Sequence, residues 1–150
     1  MRTNSAAIVR ARFMPSRIEV LLRMEFSNDG IRDSLTGLMA PSLFYESADR
    51  LRSWADRKGE SLALIAIDAE NCDADQLISV ASGMTAELRG GDLLTRIGQQ
   101  KFALLLLGDR SSAGHVIFRL ENTIKPRLSF RSIELDQGES IASALNRLKI

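Results

Sequence analysis

The chain has 150 residues, which is enough for one domain with a sizeable buried core. Hydrophobic residues make up 45% and charged residues 26%, as in an ordinary globular protein, and a net charge of +1 excludes a nucleic-acid binder that depends on a positive field over the whole molecule. One cysteine and one histidine exclude an internal disulfide and a zinc site of His and Cys ligands, which favours a reducing cytoplasm.

The first two predicted elements are helices. One covers residues 16–26 and is stopped by the turn-forming residues 27–30. The next opens at Pro41-Ser42, with the serine as its cap, and ends at Lys58-Gly59. Its apolar stripe includes Trp54, which we expect to lie in the core.

A buried strand and a third helix come next. Residues 61–68 form a continuous apolar run, typical of a strand that is covered on both faces of a central sheet. The helix after it can be capped by Asp73 or Asp75, and Arg89-Gly90-Gly91 marks its end.

The second half of the chain continues the alternation. Residues 93–97 and 101–107 predict a β-hairpin around Gly98-Gln99-Gln100. A helix, a strand and a final helix capped by Ser140 are then expected at 111–124, 127–135 and from 140 onward. This order predicts an α/β sandwich in which helices cover a mainly antiparallel sheet.

Four segments of the chain form a pattern whose order and spacing are informative. They are Asp33-Ser34-Leu35-Thr36-Gly37-Leu38, the strand at 61–68, Arg89-Gly90-Gly91-Asp92, and Gly98-Gln99-Gln100-Lys101-Phe102. In order and spacing they resemble the GGDEF (diguanylate cyclase) family. The resemblance implies a palm-like nucleotide-cyclase fold, with a lead-in segment at 1–28 and a domain at 29–150. It leaves open whether the lead-in helix pairs with a second copy or packs on its own domain.

The same resemblance implies a degenerate active site. In the family, magnesium is held by an Asp at the end of the first core strand and by an acidic residue on the hairpin. Asp68 matches the first ligand, but Lys101 stands at the second position and reverses its charge. Gln99 replaces the second signature glycine after Gly98, and Gln100 replaces the other acidic residue. We therefore expect no catalytic residue, no metal and no cofactor.

Two further expectations concern this site. The guanine-contacting segment of the family has no counterpart between Glu70 and Asp75, where the chain passes almost directly into a helix. Asp68 and Lys101 should lie on adjacent strands, and we expect them to form an ion pair in which the ammonium group replaces the metal. The alternative is an Asp68 carboxylate that merely caps a strand end or is solvated there.

A second site lies beside the signature. Arg89-x-x-Asp92 has the offset of the family's inhibitory site for cyclic di-GMP, and Arg119 is the best match for a second arginine from the following helix. Arginine offers a planar fork of donors to guanine or phosphate, and aspartate can accept from guanine N1 and N2. Alternatively, Arg89 binds carbonyl groups at a helix end and Asp92 caps a turn. Arg96 is assigned to the hairpin.

The sequence thus predicts a catalytically inactive GGDEF-like signalling domain of the bacterial cytoplasm, with Arg89, Asp92 and Arg119 as a cyclic di-GMP site. The alternative is a pseudo-enzyme that dimerises or binds a signalling protein without nucleotide, and the third reading is an active diguanylate cyclase. We expect no nucleic-acid partner. This segment should not insert into a membrane, because its longest apolar runs, 62–67 and 102–107, are too short to span a bilayer.

Overall fold

The computed structural model describes residues 26–149, so the predicted helix over 16–26 lies, apart from its last residue, outside the described residues. Helices and strands alternate within this range as the sequence predicts. In chain order they are α1 (Pro41–Lys58), β1 (Leu62–Asp68), α2 (Ala74–Glu87), β2 (Leu93–Gly98), β3 (Lys101–Leu107), α3 (Arg110–Thr123), β4 (Ser129–Glu134) and α4 (Ile141–Leu148). In residues 26–149 no helix is both long and apolar enough to cross a membrane.

The strands form one antiparallel sheet in the order β2-β3-β1-β4. β1 is a central strand, with β3 on one side and β4 on the other. Its pairing with β3 runs from Leu62 opposite Leu107 to Asp68 opposite Lys101. The predicted α/β sandwich with an antiparallel sheet is confirmed.

The core consists of two layers, one on each face of the sheet. Successive side chains of a strand point to opposite faces, so the even-numbered residues 62, 64 and 66 of β1 pack against α1 and α4. The odd-numbered residues 63, 65 and 67 pack against α2 and α3. β1 is therefore buried on both faces, as its continuous apolar run predicts.

Helix α1 begins differently from the prediction. Pro41 is its first residue and Ala40 its N-cap, without a side-chain hydrogen bond. Ser42 is already inside the helix, and its hydroxyl group donates to the carbonyl oxygen of Gly30 at 3.3 Å instead of capping. Proline fixes the φ angle that a first turn needs, and the N–H that it lacks is one that the first turn of a helix leaves unbonded. The predicted end is correct, since Gly59 adopts a left-handed φ of 69° and closes the helix.

The prediction that Trp54 lies in the core is wrong. Phe44, Ala48 and Ala55 form the buried face of α1, whereas Trp54 keeps 38% of its surface exposed. Successive side chains of an α-helix are rotated by about 100° around its axis. Trp54, which precedes the buried Ala55, therefore lies at the edge of the apolar stripe.

The predicted caps of α2 and α4 are present. Asp73, not Asp75, caps α2 through a capping box with Gln76, in which both hydrogen bonds measure 2.9 Å. Ser140 caps α4 by accepting a hydrogen bond from the backbone of Ser143 at 3.1 Å. These local bonds define where the two helices begin.

Candidate functional site

The hairpin between β2 and β3 carries the degenerate signature. Gly98 pairs with Lys101 across a two-residue turn made by Gln99 and Gln100. None of these four residues has a positive φ angle. A Cβ atom on Gly98 would meet the nearest atom, the Cβ of Lys101, at 3.5 Å, which is ordinary contact. The turn therefore needs no glycine for its backbone, and Gln99 fits without strain.

Asp68 and Lys101 are direct cross-strand partners at the ends of β1 and β3, so the predicted adjacency is confirmed. The predicted ion pair is wrong, because no ion pair among the described residues joins them. The side chain of Lys101 lies over Gly98, where there is no competing side chain, and remains exposed. One carboxylate oxygen of Asp68, Oδ1, is buried and accepts no hydrogen bond from a described residue.

Gln100 ties the tip of the hairpin to the turn after β1. Its Nε2 group donates to the carbonyl oxygens of Glu70 and Cys72, both at 2.8 Å. The backbone N–H of Ala69 donates in return to the carbonyl of Gln100 at 2.8 Å. An ionised carboxylate at this position could only accept hydrogen bonds and would face two other acceptors. The glutamine is therefore chemically suited to a turn that an acidic residue would destabilise.

The side chains at this end of the sheet do not fit a magnesium ion. Mg²⁺ requires several hard oxygen ligands in near-octahedral geometry. Asp68 offers one carboxylate, Lys101 places an ammonium group on the facing strand, and the amide of Gln100 is used as a donor. Within residues 26–149, no three His, Cys, Asp or Glu side chains are grouped so that they could hold a metal ion.

Arg96 belongs to the hairpin, as predicted, and is completely buried. Its Nη1 atom binds both carboxylate oxygens of Asp33, at 3.2 and 3.3 Å. Its Nε and Nη2 atoms donate to the carbonyl oxygen of Gln99 at 3.1 and 2.8 Å, and the ring of Phe26 lies 5.1 Å from the guanidinium carbon. Asp33 also accepts two hydrogen bonds from Thr36, at 2.7 and 2.8 Å.

Sequence reasoning missed this buried ion pair. The partners are 63 residues apart, and neither helical nor strand periodicity relates such positions. The available signal was an arginine inside an apolar strand, since a buried guanidinium group must have partners. The pair joins the segment before α1 to the tip of the signature hairpin.

The three residues predicted to bind cyclic di-GMP lie together at a second place. Arg89 and Asp92 come from the turn between α2 and β2, and Arg119 comes from α3. They line one surface depression of about 390 Å³. Its other lining residues, from the end of β3 and from α3, are Leu106, Leu107, Ser112, His115 and Val116.

Asp92 has the turn-capping role that was predicted as the alternative. Its Oδ2 atom accepts from the backbone N–H of Arg89 at 2.9 Å, and its own N–H donates to the carbonyl of Arg89 at 3.1 Å. Arg89 does not play its alternative role, because its guanidinium group is exposed and donates no hydrogen bond to a carbonyl of the described residues; its bonds to Asp92 are made by its backbone. A Cβ atom on Gly90 or Gly91 would meet nothing within 4 Å, so the surface around the turn is open.

Arg119 is held at the edge of the depression by α2. Its Nη2 atom donates to the carbonyl oxygen of Glu87 at 3.3 Å, and its Nε atom lies 3.6 Å from the Glu87 carboxylate. Even so, 40% of the Arg119 side chain remains exposed. The contact fixes the direction of the side chain while leaving donor atoms accessible.

No protein-family model and no curated protein matches the sequence. Solved structures do match. One is SiaD from Pseudomonas aeruginosa, a diguanylate cyclase solved in complex with its activator SiaC. It is 23% identical to this chain with a TM-score of 0.73, and the match covers 96% of this chain and 61% of the SiaD chain. Another is the GGDEF domain of DgcB from Caulobacter crescentus, solved in complex with c-di-GMP. It is 18% identical with a TM-score of 0.73, and the match covers 83% of this chain and 86% of the DgcB chain.

The GGDEF domain of FimX from Pseudomonas aeruginosa is a third similar structure, at 23% identity and a TM-score of 0.64, covering 78% of this chain and 88% of its own. Together these structures show that the described chain has the fold of GGDEF domains. The chain spans about three fifths of the length of SiaD.

Proposed function

We propose that residues 29–150 form a GGDEF-like signalling domain that makes no cyclic di-GMP but binds it at Arg89, Asp92 and Arg119. Residues 1–28 serve as a lead-in segment, and the protein acts in the bacterial cytoplasm. The observation that carries this proposal is the meeting of the three side chains at one open depression, although Arg119 follows Asp92 only after a complete hairpin and most of a helix.

The chemistry of the depression suits a guanine nucleotide. Two guanidinium groups can bind phosphate oxygens or the guanine Hoogsteen edge through paired hydrogen bonds. Asp92 uses Oδ2 for its turn, which leaves Oδ1 to accept from guanine N1 and N2. Leu106 and Val116 supply an apolar surface beneath the polar groups. A complex of DgcB with c-di-GMP demonstrates that one domain of this fold holds this dinucleotide.

The proposed loss of cyclase activity is explained by the residues at the hairpin end of the sheet. Joining two GTP molecules requires magnesium to neutralise triphosphate charge and to position the reactants. Lys101 opposite Asp68 places a positive charge, and Gln100 places a donor group, where a magnesium ion would need acceptor oxygens. The binding role and the catalytic role are therefore separated on the surface.

Calorimetric titration with cyclic di-GMP tests the binding site. Arg89→Ala should weaken binding by about tenfold or more, since a hydrogen bond to a charged group contributes about 1.5–3 kcal/mol. Asp92→Asn keeps an oxygen acceptor for the Arg89 backbone but removes the charge, so it should weaken binding without opening the turn. Arg57→Ala, at the end of α1 on the other face of the sheet, is the matched control and should bind like the wild type.

Two outcomes count against the proposal. If the wild-type protein produces no binding heat, it is not a receptor for this dinucleotide. If it binds and both variants bind equally well, the site lies elsewhere. Incubation with GTP and magnesium or manganese tests the catalytic part, and appearance of cyclic di-GMP would show that the domain is an active cyclase.

The second candidate is a domain that self-associates or binds a signalling protein without nucleotide. Phe118 on α3 favours it, because 66% of this large apolar side chain is exposed. SiaD was solved with an activator protein, which shows that one protein of this fold works with a partner. Sedimentation over a range of concentrations, without nucleotide, tests self-association. A concentration-dependent dimer that Phe118→Ser abolishes would favour this candidate, and a monomer throughout would count against self-association.

A further inference from the structure

His115 shares the depression with the three proposed ligand-binding residues. It lies on α3, four residues before Arg119 and therefore about one helical turn away on the same side. Its side chain is exposed, and no hydrogen bond or ion pair connects it to another described residue. Packing and hydrogen bonding within the described domain therefore do not account for its place here.

The charged groups facing His115 come from three elements. The α2–β2 turn contributes Arg89 and Asp92, and α3 itself contributes Arg119. Glu87, at the end of α2, is engaged with Arg119. β3 contributes only the apolar residues Leu106 and Leu107. Between pH 5 and 8 arginines and carboxylates ordinarily keep one charge state, whereas histidine gains or loses its proton.

We propose that His115 is a further binding residue for the anionic part of the ligand, and that it makes binding tighten as the pH falls. The inference rests on the proposed function of this site. A neutral imidazole offers one donor and one acceptor, while the protonated form offers two donors and a positive charge. A phosphodiester held beside it by Arg89 and Arg119 would therefore be bound more strongly by the protonated form.

Titration of cyclic di-GMP into the whole chain at about pH 5.5 and about pH 8 tests this role. The wild type should bind about three- to tenfold more tightly at the lower pH, because the added contact is charge-assisted. His115→Gln keeps a polar side chain without the titratable group and should lose this pH dependence. His115→Lys keeps a positive charge at both pH values and should bind tightly at both. Ser111→Ala, an exposed change on the same helix outside the depression, is the control and should behave like the wild type.

The outcomes distinguish the role of His115 from the proposed cyclic di-GMP binding by this site. If the wild type binds and Arg89→Ala does not, but affinity is the same at both pH values, His115 has no such role while the receptor function stands. A pH dependence that persists in His115→Gln also contradicts the inference. If the wild type binds at neither pH, both are wrong. Thermal unfolding of each variant verifies that this exposed position has been changed without loss of the fold.

Discussion

A single side chain at position 101 changes what this end of the sheet can bind. Lys101 stands opposite Asp68, and cross-strand partners on one face have Cβ atoms about 4.5–5.5 Å apart. Two carboxylates at that distance would repel each other unless a divalent cation lay between them. A lysine removes the repulsion and, with it, the reason for a cation.

Lys101→Glu should therefore create a magnesium-dependent stability that the wild type lacks. The variant places two carboxylates on adjacent strands, and a ligand that binds only the folded state at about five times its Kd raises the free energy of unfolding by about 1 kcal/mol. Thermal unfolding with and without magnesium measures the effect. Lys101→Gln removes the ammonium group without adding a ligand and should not respond. An equal response to magnesium in the wild type would contradict the altered metal chemistry.

At the scale of the secondary-structure elements, a glycine at the end of α1 and a glycine inside α3 have different effects on stability. Gly59 terminates α1 in the left-handed conformation, with φ at 69°. Gly114 lies inside α3, where a Cβ atom would meet nothing within 4 Å. The first glycine is required by its backbone angle, while the second only adds conformational freedom to the unfolded chain.

Alanine substitutions should separate these two roles. Gly114→Ala should raise the free energy of unfolding by about 0.5–1 kcal/mol, because alanine favours the helix and restricts the unfolded state. Gly59→Ala should lower it by about 1 kcal/mol, since an L-residue is strained in the left-handed region. Urea unfolding of both variants provides the comparison. A loss of stability in Gly114→Ala would contradict the conclusion that this position only adds conformational freedom.

The connection between β4 and α4 makes stability depend on pH. Hydrogen bonds from Arg147 lower the pKa of Glu139 from 4.5 to about 2, against the opposing effect of burial and with help from the Asp136 backbone and the Ser143 hydroxyl. Because the folded pKa lies below the unfolded one, the stabilisation is complete above about pH 4.5 and is lost as the pH falls towards 2.

Glu139→Gln should accordingly be less stable than the wild type near neutral pH, and the difference should vanish between pH 4.5 and about 2. Urea unfolding at a series of pH values measures the difference. Glu60→Gln, at an exposed turn, is the control for the general effect of removing one carboxylate. A difference that stays constant down to the lowest pH would show that the ion pair with Arg147 does not stabilise the fold.

On the scale of the whole molecule, one buried ion pair connects distant parts of the chain. Arg96 and Asp33 are both buried and are 63 residues apart, and the same arginine holds the carbonyl of Gln99. The segment before α1 is therefore joined directly to the hairpin tip. A displacement of Asp33 would leave the guanidinium group without its counter-charge and disturb the signature turn.

A double-mutant cycle measures this connection. Arg96→Met should cost about 3–5 kcal/mol, because it leaves a buried carboxylate without its partner. Asp33→Asn keeps the hydrogen bonds to Thr36 and should cost less, and the double variant should cost less than the sum by about 1 kcal/mol or more. Urea unfolding gives all three values. Should Arg96→Met fail to fold, the milder Asp33→Asn still tests the pair, and additive effects in the cycle would show that the two residues are not coupled.

The order of helices and strands, the burial of β1 on both faces and most helix boundaries were encoded by the sequence alone. Capping by Asp73 and Ser140, and termination at Gly59, depend on contacts within a few residues, so a local pattern contains the necessary information. The adjacency of Asp68 and Lys101, which lie on the non-consecutive strands β1 and β3, was predicted from the family resemblance and not from a local pattern. Resemblance of the quoted pieces to a known family then predicted the fold, which similar solved structures bear out.

Only the tertiary structure decided where side chains point and which distant groups meet. The side chain of Lys101 lies over Gly98 and does not reach Asp68. Its direction depends on the space that the facing glycine leaves on the folded hairpin, which residue type alone does not specify. Asp33 binds Arg96, and His115 lines one depression with Arg89, across elements whose relative placement is determined by packing of the whole core. Such contacts join residues that no periodicity relates, and for that reason the sequence by itself leaves them undetermined.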